Sequence, residues 1–399
     1  MLPSPAPPAE HASWPRPQVQ DVTVRAAEAV AAHLAECEAA QDVTPAAAAA
    51  LKASGYAALS VPPTFAGETL GGVGATLSEF GWAQEQLGAA GASLALILAM
   101  TGQVLGSAYA AHSLPDALLL RLGHAAVRDG ALINAVASEP GLGSPSRGGL
   151  PETALTPDAD GYHLNGHKTW ATGARALDFA LVSAHTPQQD VARALIAMNA
   201  TGVRIVSTWG GALALRGSGS QDVFFEAVRV ASDHVIAPQP SRPAHPAWFW
   251  TALAGTYLGV GTAALEALID YARKRVPSAL GQPLATLPRV REACGRLSAE
   301  LSAARALLRL AAEEFEARPD ETSLPLLAAA KAVCVNAAVS ATDQAARVVG
   351  GAALAPNLPF ERLLRDARAG LTHPPTDAEA FERLGGALLD GEQKGAGVP

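Results

Sequence analysis

The spacing of apolar residues changes twice along this chain, and that change constrains the fold more than any other feature of the sequence. From about Val22 to Leu120, apolar residues recur every three or four positions, which predicts helices. From about Ala131 to Pro240, short β-rich runs are separated by turn residues, and helical spacing returns from Trp248. Helices, strands and helices in separate blocks predict an α+β fold and not the βαβ alternation of a doubly wound sheet.

The pattern also predicts individual elements within these blocks. Asn165-Gly166 supplies the positive φ angles of a tight primed turn, so we predict a β-hairpin around residues 161–166. Thr376 and Glu379 fit a capping box, which predicts the start of a helix. Further strands are predicted at residues 179–183, 194–198, 203–206, 222–225 and 228–230. In the last block, helices are predicted at residues 258–275, 289–317 and 324–349.

Prolines and changes in composition indicate the domain boundaries. Residues 1–17 contain six prolines, a density at which no helix is expected. We therefore predict a flexible tail at 1–20, an N-terminal helical domain at 21–130, a central β domain at 131–240, a C-terminal helical bundle at 241–390 and a second tail at 391–399.

Composition and charge argue against several classes of function. The net charge of −8 and the lack of a basic cluster argue against a nucleic-acid partner. Cys37, Cys294 and Cys334 are scattered with no Cys-x-x-Cys pair, so we predict neither a disulfide framework nor a zinc site, and a cytoplasmic location. No N-terminal signal is recognised. Gly, Ser or His interrupts the longest apolar stretches, so no membrane-spanning helix is predicted.

Two other motifs imitate functional sites. Gly259-Val-Gly261 looks like a dinucleotide fingerprint, but it lies in a helical run with no strand before it, so we predict close helix packing instead. His163 and His167 flank the predicted hairpin turn and do not share one helix, which argues against a metal site. Neither motif is therefore taken as evidence of function.

Two segments of the β block suit a polar ring. In Ser138-Glu-Pro-Gly-Leu-Gly-Ser144, the Pro-Gly-x-Gly turn leaves backbone N–H groups open to a polarised ring or an anion, and an ordinary surface turn is the alternative. Farther along, strand alternation from the predicted turn places Lys168, Trp170 and Thr172 on one face. A tryptophan beside a threonine suits the flat isoalloxazine ring of a flavin, and packing of the tryptophan into the β core is the alternative.

In this order, the two segments resemble the flavin-binding β domain of the acyl-CoA dehydrogenase family. Residues 209–230 and residues 349–367, the latter with Gly350-Gly351 and Arg365-Asp366, match two further signatures of that family. The resemblance implies an N-terminal helical domain, a central β-sandwich or barrel that binds flavin and substrate, and a C-terminal four-helix bundle. It also implies FAD as the cofactor.

The resemblance further implies the activity and the partners. The family oxidises the CH–CH bond of an acyl-CoA thioester: a base takes the α-proton while hydride moves to flavin N5. The expected substrate is therefore a small molecule, an acyl-CoA thioester, and the expected electron acceptor is a flavoprotein. A homotetramer or homodimer is expected, with no nucleic-acid or membrane partner.

Five residues of the β block match flavin-contacting positions of the family. Ser138 and Ser144 would contact the pyrimidine and pyrophosphate regions of the flavin, and Gly143 belongs to the same binding turn. Trp170 would pack on the ring, and Thr172 would bond near N5.

Four residues of the C-terminal block match positions that reach the FAD of a neighbouring subunit. Arg275 would bind its pyrophosphate, while Arg347, Gly350 and Gly351 would line its adenosine half. The sequence departs from the family twice here, since the expected Thr-Phe-Gly after the first arginine is Val-Pro-Ser and the expected glutamine is Arg347. An arginine can bind phosphate bidentately, so the resemblance implies binding through different contacts.

The catalytic glutamate of the family is missing from both of its usual positions. The more frequent position, nine residues after Arg365, is Pro374, and the less frequent one falls at Phe249 or Trp250. His373 lies next to the first position and is the predicted acid or base, because a histidine near neutral pKa suits proton transfer.

Three functions are compatible with this pattern. An acyl-CoA dehydrogenase with an unusual base fits the overall match. A flavin-dependent monooxygenase that uses reduced FAD or FMN and oxygen fits the spacing Arg-Asp-x-Arg-x-x-x-x-His-x-Pro, which resembles dibenzothiophene monooxygenases of the same fold, where a histidine handles protons. A flavin- or acyl-binding protein without catalysis fits the missing glutamate, but the intact segment 170–172 argues against it.

Overall fold

The N-terminal block is helical. The computed structural model describes residues 14–142, 149–237 and 245–390. The helices of this block are α1 (Pro17–Ala40), α2 (Pro45–Ala53), α3 (Leu77–Ala111) and α4 (Asp116–Asp129), and a ribbon of β1 (Thr64–Phe65) and β2 (Glu68–Thr69) lies between α2 and α3. Helix α3 begins with a capping box, in which Glu79 N donates to Thr76 Oγ1 at 3.2 Å and Thr76 N donates to Glu79 Oε2 at 3.0 Å.

Helix α1 begins at Pro17, inside the tail predicted for residues 1–20. Proline is tolerated at the first helical position, because an N–H there would have no partner within the helix. The preceding Arg16 is anchored to Glu79 by Nε at 2.8 Å and by Nη2 at 2.6 Å. The predicted tail is therefore wrong from Pro17 onward, and residues 1–13 lie outside the described residues.

The central block forms one sheet. Its strands in the described residues are β3 (Ile133–Val136), β4 (Ala154–Asp158), β5 (Gly161–Ala171), β6 (Phe179–His185), β7 (Val191–Ala197), β8 (Val203–Val206), β9 (Gln221–Ala231) and β10 (Val235–Ile236). The order is β10-β7-β6-β4-β5-β9-β8, with β3 paired to β6. Neighbours are antiparallel except where β3 and β4 meet β6. Apart from the short β1–β2 ribbon, helices and strands thus stay in separate segments, which confirms the predicted α+β class.

The hairpin predicted at Asn165-Gly166 is wrong, because this pair lies inside the continuous strand β5. The strand passes through it with a bulge, where the register with β9 shifts just before Gly166. Across this bulge, Ala227 N donates to Asn165 Oδ1 at 2.8 Å. The tight turn lies instead between β4 and β5, where Asp158 pairs with Gly161. The conformational freedom of Asn165-Gly166 therefore permits a β-bulge within β5 and not a reversal of the chain.

The C-terminal block is a helical bundle. Its helices are α5 (Ala247–Lys274), α6 (Pro288–Ala317), α7 (Leu324–Val349), α8 (Phe360–Ala369) and α9 (Asp377–Asp390). Helix α7 has the predicted bounds. The capping box before α9 is also confirmed, since Thr376 N donates to Glu379 Oε2 at 2.7 Å. Helix α5 begins earlier than the predicted residue 258, because the aromatic run before that residue belongs to the same helix.

The glycines of the false dinucleotide motif serve helix packing, as predicted. A Cβ atom at Gly259 would lie 2.2 Å from Glu85 O in α3, and one at Gly261 would lie 2.8 Å from Leu301 Cδ2 in α6. Helix α5 therefore approaches α3 more closely than a larger residue would allow.

Three helical segments are long and apolar enough to cross a membrane by length and composition, although the sequence predicted none. They are α3, α5 and the segment Leu324–Leu354, which contains α7. Their apolar windows are 89%, 67% and 67% buried within the protein. Because α3 packs on α5 and α5 packs on α7, these internal contacts account for the apolar composition.

Candidate functional site

Residues from all three blocks surround a cavity of about 640 Å³, which we call the central cavity. The helical side is apolar, with Leu96 and Met100 from α3 and Phe249 and Leu253 from α5. The polar lining side chains come from the sheet block and from the loop between α8 and α9 (370–376, the α8–α9 loop): Asn134, Ser138, Thr172, Ser220, Thr372 and His373. An apolar cavity with a few convergent polar groups is typical of a ligand or cofactor site.

Trp170 and Thr172 line the central cavity together. The Trp170 side chain is 58% exposed and its φ angle is +56°, a left-handed conformation that is uncommon for a bulky residue. Thr172 Oγ1 lies 3.0 Å from Ser220 Oγ, which lies 2.8 Å from Ser218 Oγ. The exposure of Trp170 rules out the alternative that it packs into the β core. An exposed aromatic ring in a strained backbone conformation points to a binding surface.

Lys168 does not share the face of Trp170, contrary to the prediction from strand alternation. The register of β5 with β9 shifts between Lys168 and Ala171, so the simple alternation of side chains ends there. The Lys168 side chain is fully buried, and Nζ donates to Glu139 Oε1 at 2.6 Å and to Ala137 O at 3.3 Å.

The buried ion pair between Lys168 and Glu139 fixes the segment that carries Ser138. Glu139 also accepts from the backbone N of Glu152 at 2.6 Å and of Thr153 at 3.1 Å. Burial alone would raise the pKa of Glu139, but the bonds from Lys168 and these N–H groups hold that pKa below its ordinary value. Glu139 is therefore ionised at pH 7, and the pair joins β5 to the segment after β3.

Asn134 was not singled out in the sequence, although it lines the central cavity. Its Nδ2 donates to Thr172 O at 3.1 Å, while its Oδ1 is buried with no hydrogen-bond partner among the described residues. An unpaired buried acceptor costs about 1–3 kcal/mol, so a ligand N–H or O–H is expected to supply the missing bond. The signal that could have found Asn134 is a lone amide in the otherwise apolar strand β3.

His373 is the one titratable side chain among the described residues that line the central cavity. Its Nδ1 lies 2.8 Å from Tyr257 Oη, and its backbone O accepts from Lys331 Nζ at 2.7 Å. Removal from water, and then the charge of Lys331, lower the pKa of His373 to about 4. The imidazole is therefore neutral at pH 7.

The two positions at which the resemblance expects a glutamate also lie at this cavity. Pro374 and Phe249 line it, and no carboxylate does in the described part of the chain. Trp250 turns away into the core and is 6% exposed, with the Arg383 guanidinium 5.6 Å from its ring centroid. Among the described residues, the imidazole of His373 is therefore the only titratable group that the cavity offers for proton transfer.

The other predicted site residues fall into two groups. Gly143 and Ser144 lie outside the described residues. Four residues are exposed on the bundle and do not line the cavity: Arg275, Arg347, Gly350 and Gly351. Arg347 Nε bonds Asp343 Oδ2 at 2.7 Å. The predicted contact of these four residues with the FAD of a neighbouring subunit stays a prediction.

The two histidines set aside in the sequence lie on β5 and each contacts a carboxylate. His163 Nε2 lies 2.9 Å from Asp158 Oδ2, and His167 Nε2 lies 2.7 Å from Asp222 Oδ2. Within the described residues, no group of three or more His, Cys, Asp and Glu side chains is arranged to hold a metal ion. Residues 14–142, 149–237 and 245–390 therefore supply no candidate metal centre.

Comparison with known proteins identifies relatives along most of the chain. The family model for the acyl-CoA dehydrogenase middle domain matches residues 134–228, and the model for the C-terminal domain matches residues 251–372. A putative acyl-CoA dehydrogenase of Bacillus subtilis, YdbM, is 33% identical over 345 residues, which cover 83% of this chain and 88% of that protein.

Two solved structures share the fold at lower sequence identity. FMN-bound TdsC from Paenibacillus sp. A11-2, a dibenzothiophene monooxygenase, has a TM-score of 0.81 at 24% identity and covers 94% of this chain and 98% of its own. A glutaryl-CoA dehydrogenase from Mycobacterium smegmatis in complex with FADH2 has a TM-score of 0.77 at 19% identity, over 93% and 94% of the two chains. Both carry a flavin, and FAD is the cofactor of the family. From the two domain matches and the 33% identity to YdbM, the chain belongs to the acyl-CoA dehydrogenase family.

Proposed function

We propose that this protein is a flavin-dependent oxidoreductase of the monooxygenase type, which places one oxygen atom on a small, largely apolar substrate in the central cavity. One observation carries the proposal: among the described lining residues, His373 is the only titratable side chain and no carboxylate reaches the cavity. Abstraction of an α-proton needs a positioned base. The positions at which dehydrogenases of this fold hold a glutamate are Pro374 and Phe249.

The polar side of the cavity fits a flavin ring. Trp170 offers an exposed aromatic face, and Thr172 and Ser220 offer hydroxyl groups. The unpaired Asn134 Oδ1 is an acceptor suited to a ring N–H group. FAD and FMN share this ring, so either would fit these contacts. When bound in its reduced form, the flavin supplies the two electrons that reduce dioxygen, one oxygen atom going to the substrate and the other leaving as water.

The contact with Tyr257 determines the tautomer of His373, and therefore which ring nitrogen is free to bind a ligand in the cavity. Tyr257 is fully buried, and burial raises its pKa well above the ordinary value, so the hydroxyl keeps its proton. His373 Nδ1 is the one hydrogen-bond partner of that hydroxyl in the described part of the chain. A buried O–H needs an acceptor, so we assign Tyr257 as the donor and Nδ1 as the acceptor. The proton of the neutral ring then lies on Nε2.

A neutral ring with its proton on Nε2 is a hydrogen-bond donor to the cavity. Such a donor can bind the oxygen atom that is transferred and orient it toward the substrate, while its own proton stays on Nε2. It is poorly suited to take a proton from carbon, because its free nitrogen faces Tyr257 and its pKa is lowered to about 4. His373 therefore favours oxygen transfer over α-proton abstraction.

The helical side of the cavity limits the substrate. Its walls are the side chains of Leu96, Met100, Phe249 and Leu253, and no Lys, Arg, Asp or Glu is among the described lining residues. A charged group placed there would lose its hydration without a partner. The part of the substrate that enters the cavity is therefore neutral and largely apolar, such as an aromatic ring or an acyl chain.

An acyl-CoA dehydrogenase is the second candidate function, and the 33% identity to YdbM favours it. In this case His373 would act as the base through Nε2, with its Nδ1–H donating to Tyr257 Oη. The substrate would be an acyl-CoA thioester and the electron acceptor a flavoprotein. The two candidates therefore require opposite tautomers of one imidazole.

We also propose that the protein is a homodimer or homotetramer whose subunits share FAD. The support is the exposure of four residues that match FAD-contacting positions and lie away from the cavity of their own chain: Arg275, Arg347, Gly350 and Gly351. Shared sites of this kind come with closed symmetry. In such an assembly the arginines would bind phosphate of the neighbouring cofactor.

Oxygen incorporation tests the proposed function. Purified protein is supplied with reduced FMN or FAD, isotopically labelled dioxygen and a panel of apolar heteroaromatic compounds and acyl-CoAs. We expect a product that gains one labelled oxygen atom, because His373 and the apolar wall suit oxygen transfer. Oxidised flavin without a reductant is the control and should give no product. Reduction of a dye acceptor by an acyl-CoA, with no labelled product from any compound, would favour the dehydrogenase instead.

A further inference from the structure

A buried lysine outside the cavity lining holds the loop that carries His373. Lys331 lies in α7 and its side chain is fully buried. Its Nζ donates to three backbone oxygens of the α8–α9 loop: Gly370 O at 2.9 Å, His373 O at 2.7 Å and Pro375 O at 3.0 Å. An ammonium group has three donors, so this loop takes all of them. In the described residues, no carboxylate forms a salt bridge with Lys331.

The α8–α9 loop depends on these donors. Pro374 and Pro375 lack a backbone N–H, which limits the bonds that the loop can make with itself. The carbonyl groups of Gly370, His373 and Pro375 accept from no other group in the described part of the chain. Loss of the Lys331 ammonium would leave all three acceptors unpaired at once, which is unfavourable in a buried setting.

The charge of Lys331 is retained in spite of its burial. Burial lowers its pKa to about 8, and the negative charges of Asp377 and Glu379 act in the opposite direction. The amine is therefore mostly protonated at neutral pH. An apolar side chain would fill the same space without the cost of burying a cation, so the ammonium contributes something that packing cannot, namely the bonds to the loop.

The loop held by Lys331 packs directly on Tyr257. A Cβ atom at Gly370 would lie 2.9 Å from Tyr257 Cδ2 and 2.8 Å from Val335 Cγ1, so glycine permits the close approach. Tyr257 is also the residue whose hydroxyl lies 2.8 Å from His373 Nδ1. Lys331 thus fixes both points at which the loop meets this tyrosine.

We propose that Lys331 is the positioning residue for His373: it fixes the backbone of the α8–α9 loop, so that Nδ1 stays bonded to Tyr257 and one tautomer of the imidazole serves the central cavity. The proposal rests on the proposed function only for the part that His373 plays in the reaction. The geometry itself concerns residues of two helices, α5 and α7, and of one loop in the same chain.

Ring-nitrogen NMR of the full-length protein with isotope-labelled histidine tests this at neutral pH, without flavin or substrate. In the wild type we expect His373 to show a protonated Nε2 and an unprotonated Nδ1, and the loss of this signal in His373→Asn assigns it. Lys331→Met keeps the side-chain length and removes the donors. Both ring nitrogens should then shift toward values averaged between the two tautomers. Tyr257→Phe should produce the same shift, because it removes the other partner.

Arg305→Met is the matched control, because it removes a different cation from the helical bundle. Arg305 Nε donates to Glu85 Oε2 at 2.9 Å. This variant should leave the His373 signals unchanged. Unchanged His373 signals in folded Lys331→Met, or an equal shift in Arg305→Met, would overturn the proposal.

If Lys331→Met does not fold, Lys331→Gln provides the test. Its amide can still donate to two of the three carbonyls, so a smaller shift in the same direction is expected, and unchanged signals in this folded variant would also overturn the proposal. Because no reaction is measured, either result is independent of the oxygen-incorporation experiment. Failure of the proposed function can therefore be told apart from failure of this one.

Discussion

His373→Ala is expected to keep its flavin but to oxygenate its substrate about 10²-fold more slowly or worse, since removal of one preorganised hydrogen-bond donor costs about 10²–10³-fold. The contacts that fit the flavin ring come from the sheet block, and His373 lies on the α8–α9 loop. Flavin uptake and turnover should therefore separate. The rate of product formation per bound flavin is the measurement, on the substrate found by oxygen incorporation.

A matched control is available in His33, a histidine on α1 whose Nδ1 lies 2.9 Å from Glu36 Oε1 and which does not line the cavity. His33→Ala should turn over at the wild-type rate. If His373→Ala also does so, His373 is only a loop residue, and the argument from the cavity lining fails.

The contribution of His373 to the rate should also have a characteristic dependence on pH. Because burial, and then the Lys331 charge, lower the pKa of His373 to about 4, its ring stays neutral from about pH 8 to about pH 5, a range in which an unperturbed histidine would titrate. The part of the rate lost in His373→Ala should therefore be flat over this range and should change only as the pH approaches 4, where the ring gains its second proton. A change centred near about 6.5, the ordinary value, would show a solvated ring.

Lys168→Met is expected to lower the free energy of unfolding by about 3–5 kcal/mol, because it leaves the Glu139 carboxylate buried without its cation. The two side chains are 0% and 1% exposed, and they join β5 to the segment that carries Ser138. The bonds from two backbone N–H groups to Glu139 remain in the variant and keep the loss within this range. Urea denaturation at fixed protein concentration measures it.

Two further variants make the test of Lys168 specific. Lys168→Met combined with Glu139→Gln should recover part of the lost stability, because the buried charge is removed. Arg204→Met breaks the exposed pair with Glu226 and should cost less than about 1 kcal/mol. Equal losses in Lys168→Met and Arg204→Met would contradict the assignment of a buried ion pair that stabilises the fold.

The predictions from sequence succeeded where periodicity was long and regular. Helix α7 has the predicted bounds because its apolar positions recur over 26 residues, and the capping chemistry of Thr376 and Glu379 is local and unambiguous. Both depend on neighbours in the chain, which the sequence displays directly.

The predictions failed where a strand departs from regular geometry. Asn165-Gly166 was taken as a turn because its side chains and φ preferences suit one, yet the pair forms a bulge within β5. The second irregularity, between Lys168 and Ala171, reverses the expected face of Lys168 and gives Trp170 a positive φ angle. Bulges are set by pairing with a distant strand, here β9, so a local pattern cannot reveal them.

The importance of two further residues could not be predicted from the sequence, for a related reason. Asn134 and Lys331 each lie as one polar residue within an apolar segment, and neither belongs to a recognised motif. Their importance follows from an unpaired Oδ1 and from three carbonyl oxygens of a distant loop, both of which are tertiary features. A single buried polar residue in an apolar run is the signal that could have directed attention to them.

The central claim is that this cavity lacks the base for α-proton abstraction, and anaerobic mixing of oxidised flavin-bound protein with a panel of acyl-CoAs tests it most directly. The measurement is bleaching of the flavin absorbance. We expect none in the wild type, because Pro374 and Phe249 line the cavity and no carboxylate does in the described residues. Pro374→Glu, which restores a carboxylate, should bleach slowly with the acyl-CoA that fits. Rapid bleaching of the wild-type protein by an acyl-CoA would contradict the account and identify the protein as a dehydrogenase.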